Sequence, residues 1–316
     1  MSDAKEPSQS LGGGEPLLEK ILADCPRLGV NDSFQFACHP GVSCFNRCCA
    51  DVNIFLSPYD VLRMKKRLGM SSTEFLERYA LLPVHKAMKT PTVLLKMNND
   101  EAKSCPFLSS GGCGIYSDRP WPCRMYPLGL AAQRDTPDGW RGEQFYFLLK
   151  EDLCRGKEQP CQQTVSQWFD SQGINEYDRW GEAFKELTLH KFFETGGELP
   201  PPKVHMLFTA CYDLDNFRRL VFESSLLERF EVDEDWIVEM EHDDESLLRF
   251  AYLWVRFSLF GERTMKARPE AIAAVKGRVQ RQGADEEDGD DPGQRGVPLC
   301  PGVEQAPPAV DEGGAP

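Results

Sequence analysis

Several features that usually announce a function are missing from this chain. Its first twenty residues hold no basic start followed by an apolar core, so no signal peptide is expected. The most apolar stretch, 250–261, is too short to span a bilayer and contains Arg256. Histidine is scarce, and His85, His190, His205 and His242 form no HExxH or paired pattern. No glycine-rich strand-to-helix turn of the nucleotide-binding kind is present; the one glycine run, Gly12–Gly14, lies in a polar start. Basic charge is outnumbered, 36 Lys and Arg against 50 Asp and Glu, for a net charge of -14. An acidic body argues against nucleic acid or an anionic membrane as a partner. A cytoplasmic location is expected.

Cysteine, by contrast, is abundant, with twelve residues in 316. In a reducing cytosol these thiols are not expected to form a disulfide framework, and clustered reduced cysteines are more often ligands or redox centres. At 41% hydrophobic and 27% charged the chain reads as globular.

The expected organisation is a polar, disordered start over 1–16, a cysteine-cluster region over 17–160, a helical region over 161–282 and a disordered acidic tail over 283–316. That tail holds nine acidic side chains and one basic one, Arg295. It reads as a solvated end, with docking to a basic protein partner as the sharper alternative. The fold class is α+β: a loop-rich metal-binding region with short strands and helices, then a helical extension.

Local signals are clear in places. The apolar run 52–56 predicts a strand. Ser57, Pro58 and Asp60 then start a helix carried by Val61, Met64 and Leu68 and ended by Gly69. Ser71 and Glu74 form a capping box for a second helix, with Met70 and Phe75 as its staple. Residues 92–97 and 144–149 predict strands. Tyr177, Trp180, Phe184 and Leu187 recur at helical spacing, as do Phe217, Leu220 and Val221, and later Leu247, Leu248, Ala251, Trp254 and Val255. These stripes read as core packing. The prolines 200–202 separate two helical stretches.

The chemistry lies in two cysteine blocks. The first is Cys38-His-Pro-Gly-Val-Ser-Cys44-Phe-Asn-Arg-Cys48-Cys49. The second runs Cys105-Pro-Phe-Leu, Cys113-Gly-Ile-Tyr and Cys123-Arg-Met-Tyr-Pro. Gly- and Pro-rich loops between them allow thiolates to converge, and thiolates suit zinc or an iron–sulfur cluster. Neighbouring side chains diverge in strands and helices, so Cys48 and Cys49 do not both suit one tetrahedral ion. One is spare, or the centre is polynuclear, or there are two centres. Cys154 supplies an eighth thiol, and eight would serve two four-thiolate sites. Arg119 and Arg124 lie among these thiols and are expected to offset their charge from behind, with an anionic substrate as the alternative. His39 is awkwardly placed beside Cys38. Cys161 reads as peripheral, Cys211 as core, and Cys25 and Cys300 as remote from the cluster.

These blocks resemble the YkgJ-type cysteine-cluster family, described as zinc- or iron-chelating domains with a CxxCxxCC signature. The likeness covers roughly residues 34–160 and is most specific in Cys113-Gly-Ile-Tyr116-x-x-Arg119-Pro120-x-x-Cys123-Arg124. The first block departs from the short spacing; its wider Cys-x5-Cys-x3-Cys-Cys form is similar to the cysteine block of flagellin lysine N-methylases. The resemblance implies metal ions at Cys38, Cys44, Cys48, Cys49, Cys105, Cys113 and Cys123, without fixing an activity or a catalytic residue. Three functions stay open: a metal protein supporting redox chemistry or protein modification, a structural zinc module presenting a helical partner-binding region, and a protein lysine methyltransferase. Structural zinc contributes on the order of 10 kcal/mol of folding free energy, enough for the second.

Overall fold

A computed structural model describes residues 26–83, 89–132, 144–149 and 152–273. The expected disordered ends, 1–16 and 283–316, and Cys25 and Cys300 lie outside these residues. The chain through Arg268 forms one compact unit, and the residues from Pro269 onward are assigned to a second.

The architecture is mixed α and β. Strand β1 (Ser33–Gln35) leads into the first cysteine block. Strand β2 (Phe55–Leu56) precedes helix α1 (Pro58–Leu68) and helix α2 (Ser72–Tyr79), followed by β3 (Ala80–Leu81) and β4 (Val93–Leu95). Both helices start as their sequence predicts. Ser57 and Asp60, and Ser71 and Glu74, form reciprocal capping boxes, and Gly69 closes α1 in the left-handed conformation. The expected strand over 52–56 is paired only at Phe55–Leu56, because β4 offers it two partners, Leu94 and Val93.

The second block carries the hairpin β5 (Leu108–Ser109) and β6 (Gly112–Cys113) and the short helix α3 (Trp121–Met125). Strands β7 (Leu128–Ala132) and β8 (Gln144–Leu148) pair antiparallel, and β9 (Gln162–Thr164) pairs with β1. The rest is helical: α4 (Val165–Gln172), α5 (Ile174–Thr188), α6 (Lys191–Glu194), α7 (Pro201–Cys211), α8 (Leu214–Glu223), α9 (Glu234–His242) and α10 (Asp244–Phe260).

Two cores hold this together. The larger joins α1, α2, β4 and the hairpin region to the later helices, with Tyr59, Phe75, Phe217 and Phe250 fully buried. Burial of such side chains stabilises by about 1.5–3 kcal/mol each. Its polar ties are buried too: Lys65 pairs with Asp215 at 3.0 Å and Asp244 at 2.9 Å. The smaller core packs Phe34 and Phe36 on Met125, Trp168 and Phe169. It crosses residue 160, since β9 and α4 pack on the strand that opens the first cysteine block. Tyr177, Trp180 and Leu187 of the aromatic stripe are buried as core, whereas Phe184 is partly exposed.

Candidate metal centre

The first cysteine block ends in a single 3-10 turn, Arg47–Cys49, entered through Asn46 at φ 71°. Asparagine tolerates this left-handed conformation better than most residues. Within this turn the Cys48 and Cys49 side chains are hydrogen-bonded to each other. Beyond it, Ala50 bridges to Ser104, and the Cys105 N–H donates to the Cys49 carbonyl at 2.8 Å. This short antiparallel contact clips the first block to the second.

Cys105 and Cys113 are brought together by the hairpin, which pairs Leu108 with Cys113. Cys123 arrives on α3. That helix is anchored by buried Asp60, whose Oδ1 accepts from the Trp121 N–H at 2.7 Å while its Oδ2 accepts from the Ser57 N–H and hydroxyl, each at 2.7 Å. Burial raises the Asp60 pKa, and these donors together with the Arg124 charge pull against it.

Cys154 reaches the first block through a close backbone approach. The Ala37 N–H donates to the Gly156 carbonyl at 3.1 Å, and a Cβ on Gly156 would stand 2.5 Å from the Phe36 ring and 2.8 Å from the Ala37 carbonyl. Only glycine permits that contact.

Cys38, Cys44, Cys48 and Cys154 form one group around a shared cavity, and Cys49, Cys105, Cys113 and Cys123 form the group beside it, joined to the first through Cys48. Cys38 is acted on electrostatically by Cys48, Cys44 and Cys154. Those four line one cavity of about 30 Å³, with Arg47, Leu153 and Tyr126 at its walls. Cys49 is coupled to Cys105 and Cys123 as well as to its neighbour Cys48, and Cys123 to Cys105 and Cys113. Cys48 links the two sets: it lines the cavity with Cys38, Cys44 and Cys154 and hydrogen-bonds the Cys49 side chain. The first group is the more open, for Cys38 and Cys48 are exposed while all four members of the second are partly covered.

All the shifts in these groups run upward. Burial, then the neighbouring thiols, raise Cys38. The Cys48 side chain, then burial, raises Cys49 well above its ordinary value. Burial and the surrounding thiols push Cys123 up to about 12. Among the described residues no three such side chains stand at the distances of a closed metal site.

The surroundings fit anionic sulfur. The Arg155 N–H donates to Cys44 Sγ at 3.1 Å, and the Phe107 N–H donates to Cys105. Arg119 acts on Cys38 and on Cys123, one from each group, and its buried Nε has no partner. Its Nη2 donates to Gln172 Oε1, and its guanidinium lies 4.0 Å over the Tyr116 ring. Arg124 sits differently. Its donors go to the carbonyls of Arg119, Gln172 and Ser117 and to the Tyr177 hydroxyl. It holds the backbone that carries Arg119.

Residues 37–155 match the model of the CxxCxxCC family, titled "Putative zinc- or iron-chelating domain". This segment is similar to the CxxCxxCC domains. All eight grouped thiols fall within it, and Cys161 and Cys211 fall outside. No curated protein and no solved structure matches the chain. No helix among the described residues is long and apolar enough to cross a membrane.

The remaining candidates do not line the cavity of the first four thiols. His39 is exposed, with its Nδ1 accepting from the Gly41 N–H at 3.2 Å. Cys161 is exposed, and its carbonyl accepts from the Phe36 N–H. Cys211 is fully buried in the larger core. Sequence reasoning missed Arg47, Leu153 and the two N–H donors to sulfur. The donors are backbone groups and leave no mark in a residue pattern.

Proposed function

We propose that this chain is a two-centre metal protein, with Cys38, Cys44, Cys48 and Cys154 holding one centre and Cys49, Cys105, Cys113 and Cys123 the other. The observation that carries the reading is the cavity shared by Cys38, Cys44, Cys48 and Cys154, which leaves Cys49, Cys105, Cys113 and Cys123 as a second set of four. Four thiolates without histidine suit zinc or iron.

The two groups suit different tasks. The second clips the two cysteine blocks together and borders the larger core through Cys105 and Cys113, which fits a structural centre. The first opens to solvent beside exposed Leu153, which fits a centre available to redox exchange or to a protein partner. A bound ion there would supply charge to keep the thiolates ionised and, if iron, an electron. Arg119 and the Arg155 N–H would donate to the resulting anionic sulfur.

Metal analysis of anaerobically purified protein, with a visible spectrum, tests this. Two equivalents of metal per chain are expected, colourless for zinc and coloured for iron. One equivalent or none would overturn the two-centre assignment.

A further inference from the structure

A second, larger cavity of about 460 Å³ lies between β2, β4, α3 and α5. That is the size of a small-molecule site. Its walls are mostly apolar, with Phe55, Val93, Trp121, Leu130 and Phe184 among them.

One carboxylate facing it is incompletely used. The Trp121 indole Nε1–H donates to Asp178 Oδ1 at 2.6 Å, and among the described residues nothing donates to the other oxygen. The remaining charged groups at the wall are occupied. Asp60 has both oxygens engaged, and Lys185 donates to Glu182 at 2.6 Å. Burial raises the Asp178 pKa, with Trp121 and Lys185 opposing it. A cation in the cavity would relieve that cost.

The floor is shaped by Gly181, near the middle of α5. A helix-interior glycine costs about 1 kcal/mol relative to alanine. No close backbone contact or left-handed φ calls for it, and a Cβ there would meet nothing within 4 Å. It stands one turn from Asp178 on the face that lines the cavity. The residue leaves room instead of filling a contact.

We infer that this cavity binds a small organic amine, with its ammonium on Asp178 and its apolar body over Gly181 against Trp121 and Phe184. This site does not rest on the metal reading, although α3 carries both Trp121 and Cys123.

Calorimetric titration of the intact, metal-replete chain with tryptamine, and with its neutral counterpart tryptophol, tests the inference at neutral pH. A hydrogen bond to a charged group predicts a preference for the amine of about tenfold or more. Asp178→Asn should remove that preference, and Gly181→Leu should abolish binding of both compounds, with metal content and circular dichroism unchanged. Absence of binding at millimolar concentration, equal affinities in the unaltered chain, or a preference that survives Asp178→Asn would overturn it. Should Asp178→Asn fail to fold, the amine preference and its loss in Gly181→Leu decide the question. Metal content, measured separately, keeps this outcome distinct from that of the two-centre proposal.

Discussion

Cys48 and Cys49 share a peptide bond and a side-chain hydrogen bond, yet only Cys48 lines the cavity with Cys38, Cys44 and Cys154. Cys48 acts on Cys38, whereas Cys49 is coupled to Cys105 and Cys123. Cys48 is thereby the link between the cavity and the group that holds Cys49.

Single substitutions should therefore remove one centre at a time. Cys48→Ser and Cys154→Ser are expected to lose the same metal equivalent and leave Cys113 and Cys123 protected from alkylation. Cys49→Ser and Cys113→Ser should do the reverse. Cys161→Ser should lose neither. Metal analysis with mass spectrometry of alkylated thiols checks this; a loss of both centres from every variant would show one shared site.

The two arginines should separate by readout. Arg119→Gln is expected to weaken metal retention in both groups, seen as faster transfer to a chelator, with Arg119→Lys restoring part of it through charge. Arg124→Gln leaves the carbonyls of Arg119, Gln172 and Ser117 without their donor. It should cost about 2–4 kcal/mol in urea unfolding.

Acid should act through Asp118. Burial opposes its ionisation, but Arg63 at 2.7 Å and the Ser117 hydroxyl outweigh this and hold its pKa below the ordinary value. A depressed folded pKa gives stability that is present above the unfolded value, near 4, and lost as pH falls through the folded one. Asp118→Asn should cost about 1–2 kcal/mol at neutral pH and less below pH ~4. Equilibrium unfolding at pH 7 and near pH 3 measures both.

Cys211 is a packing residue. Cys211→Ser puts a hydroxyl where no exposure remains and should destabilise by about 1–3 kcal/mol without changing metal content. Thermal unfolding alongside metal analysis reads the two effects apart.

Much of this was legible beforehand. The starts of α1 and α2 could be read because capping chemistry is local: Ser57 with Asp60, and Ser71 with Glu74, lie within one turn. The two cysteine blocks that match the family model could be picked out by type and punctuation. The grouping of their thiols was not legible, because the shared cavity forms only where the backbone approach at Gly156 brings Cys154 to the first block. The amine cavity was hidden for another reason. Asp178 and Trp121 are 57 residues apart, and only the packing of α3 on α5 joins them. The one local signal was Gly181, an interruption in an otherwise good helix former.

The close approach at Gly156 places the last thiol of the open group more than a hundred residues after Cys48. On a chain emerging from the ribosome, the inner group has all its thiols once Cys123 has been made, while the open group must wait for Cys154. Synthesis thus imposes an order: the clip between the two cysteine blocks can form while the exposed site is still a thiol short.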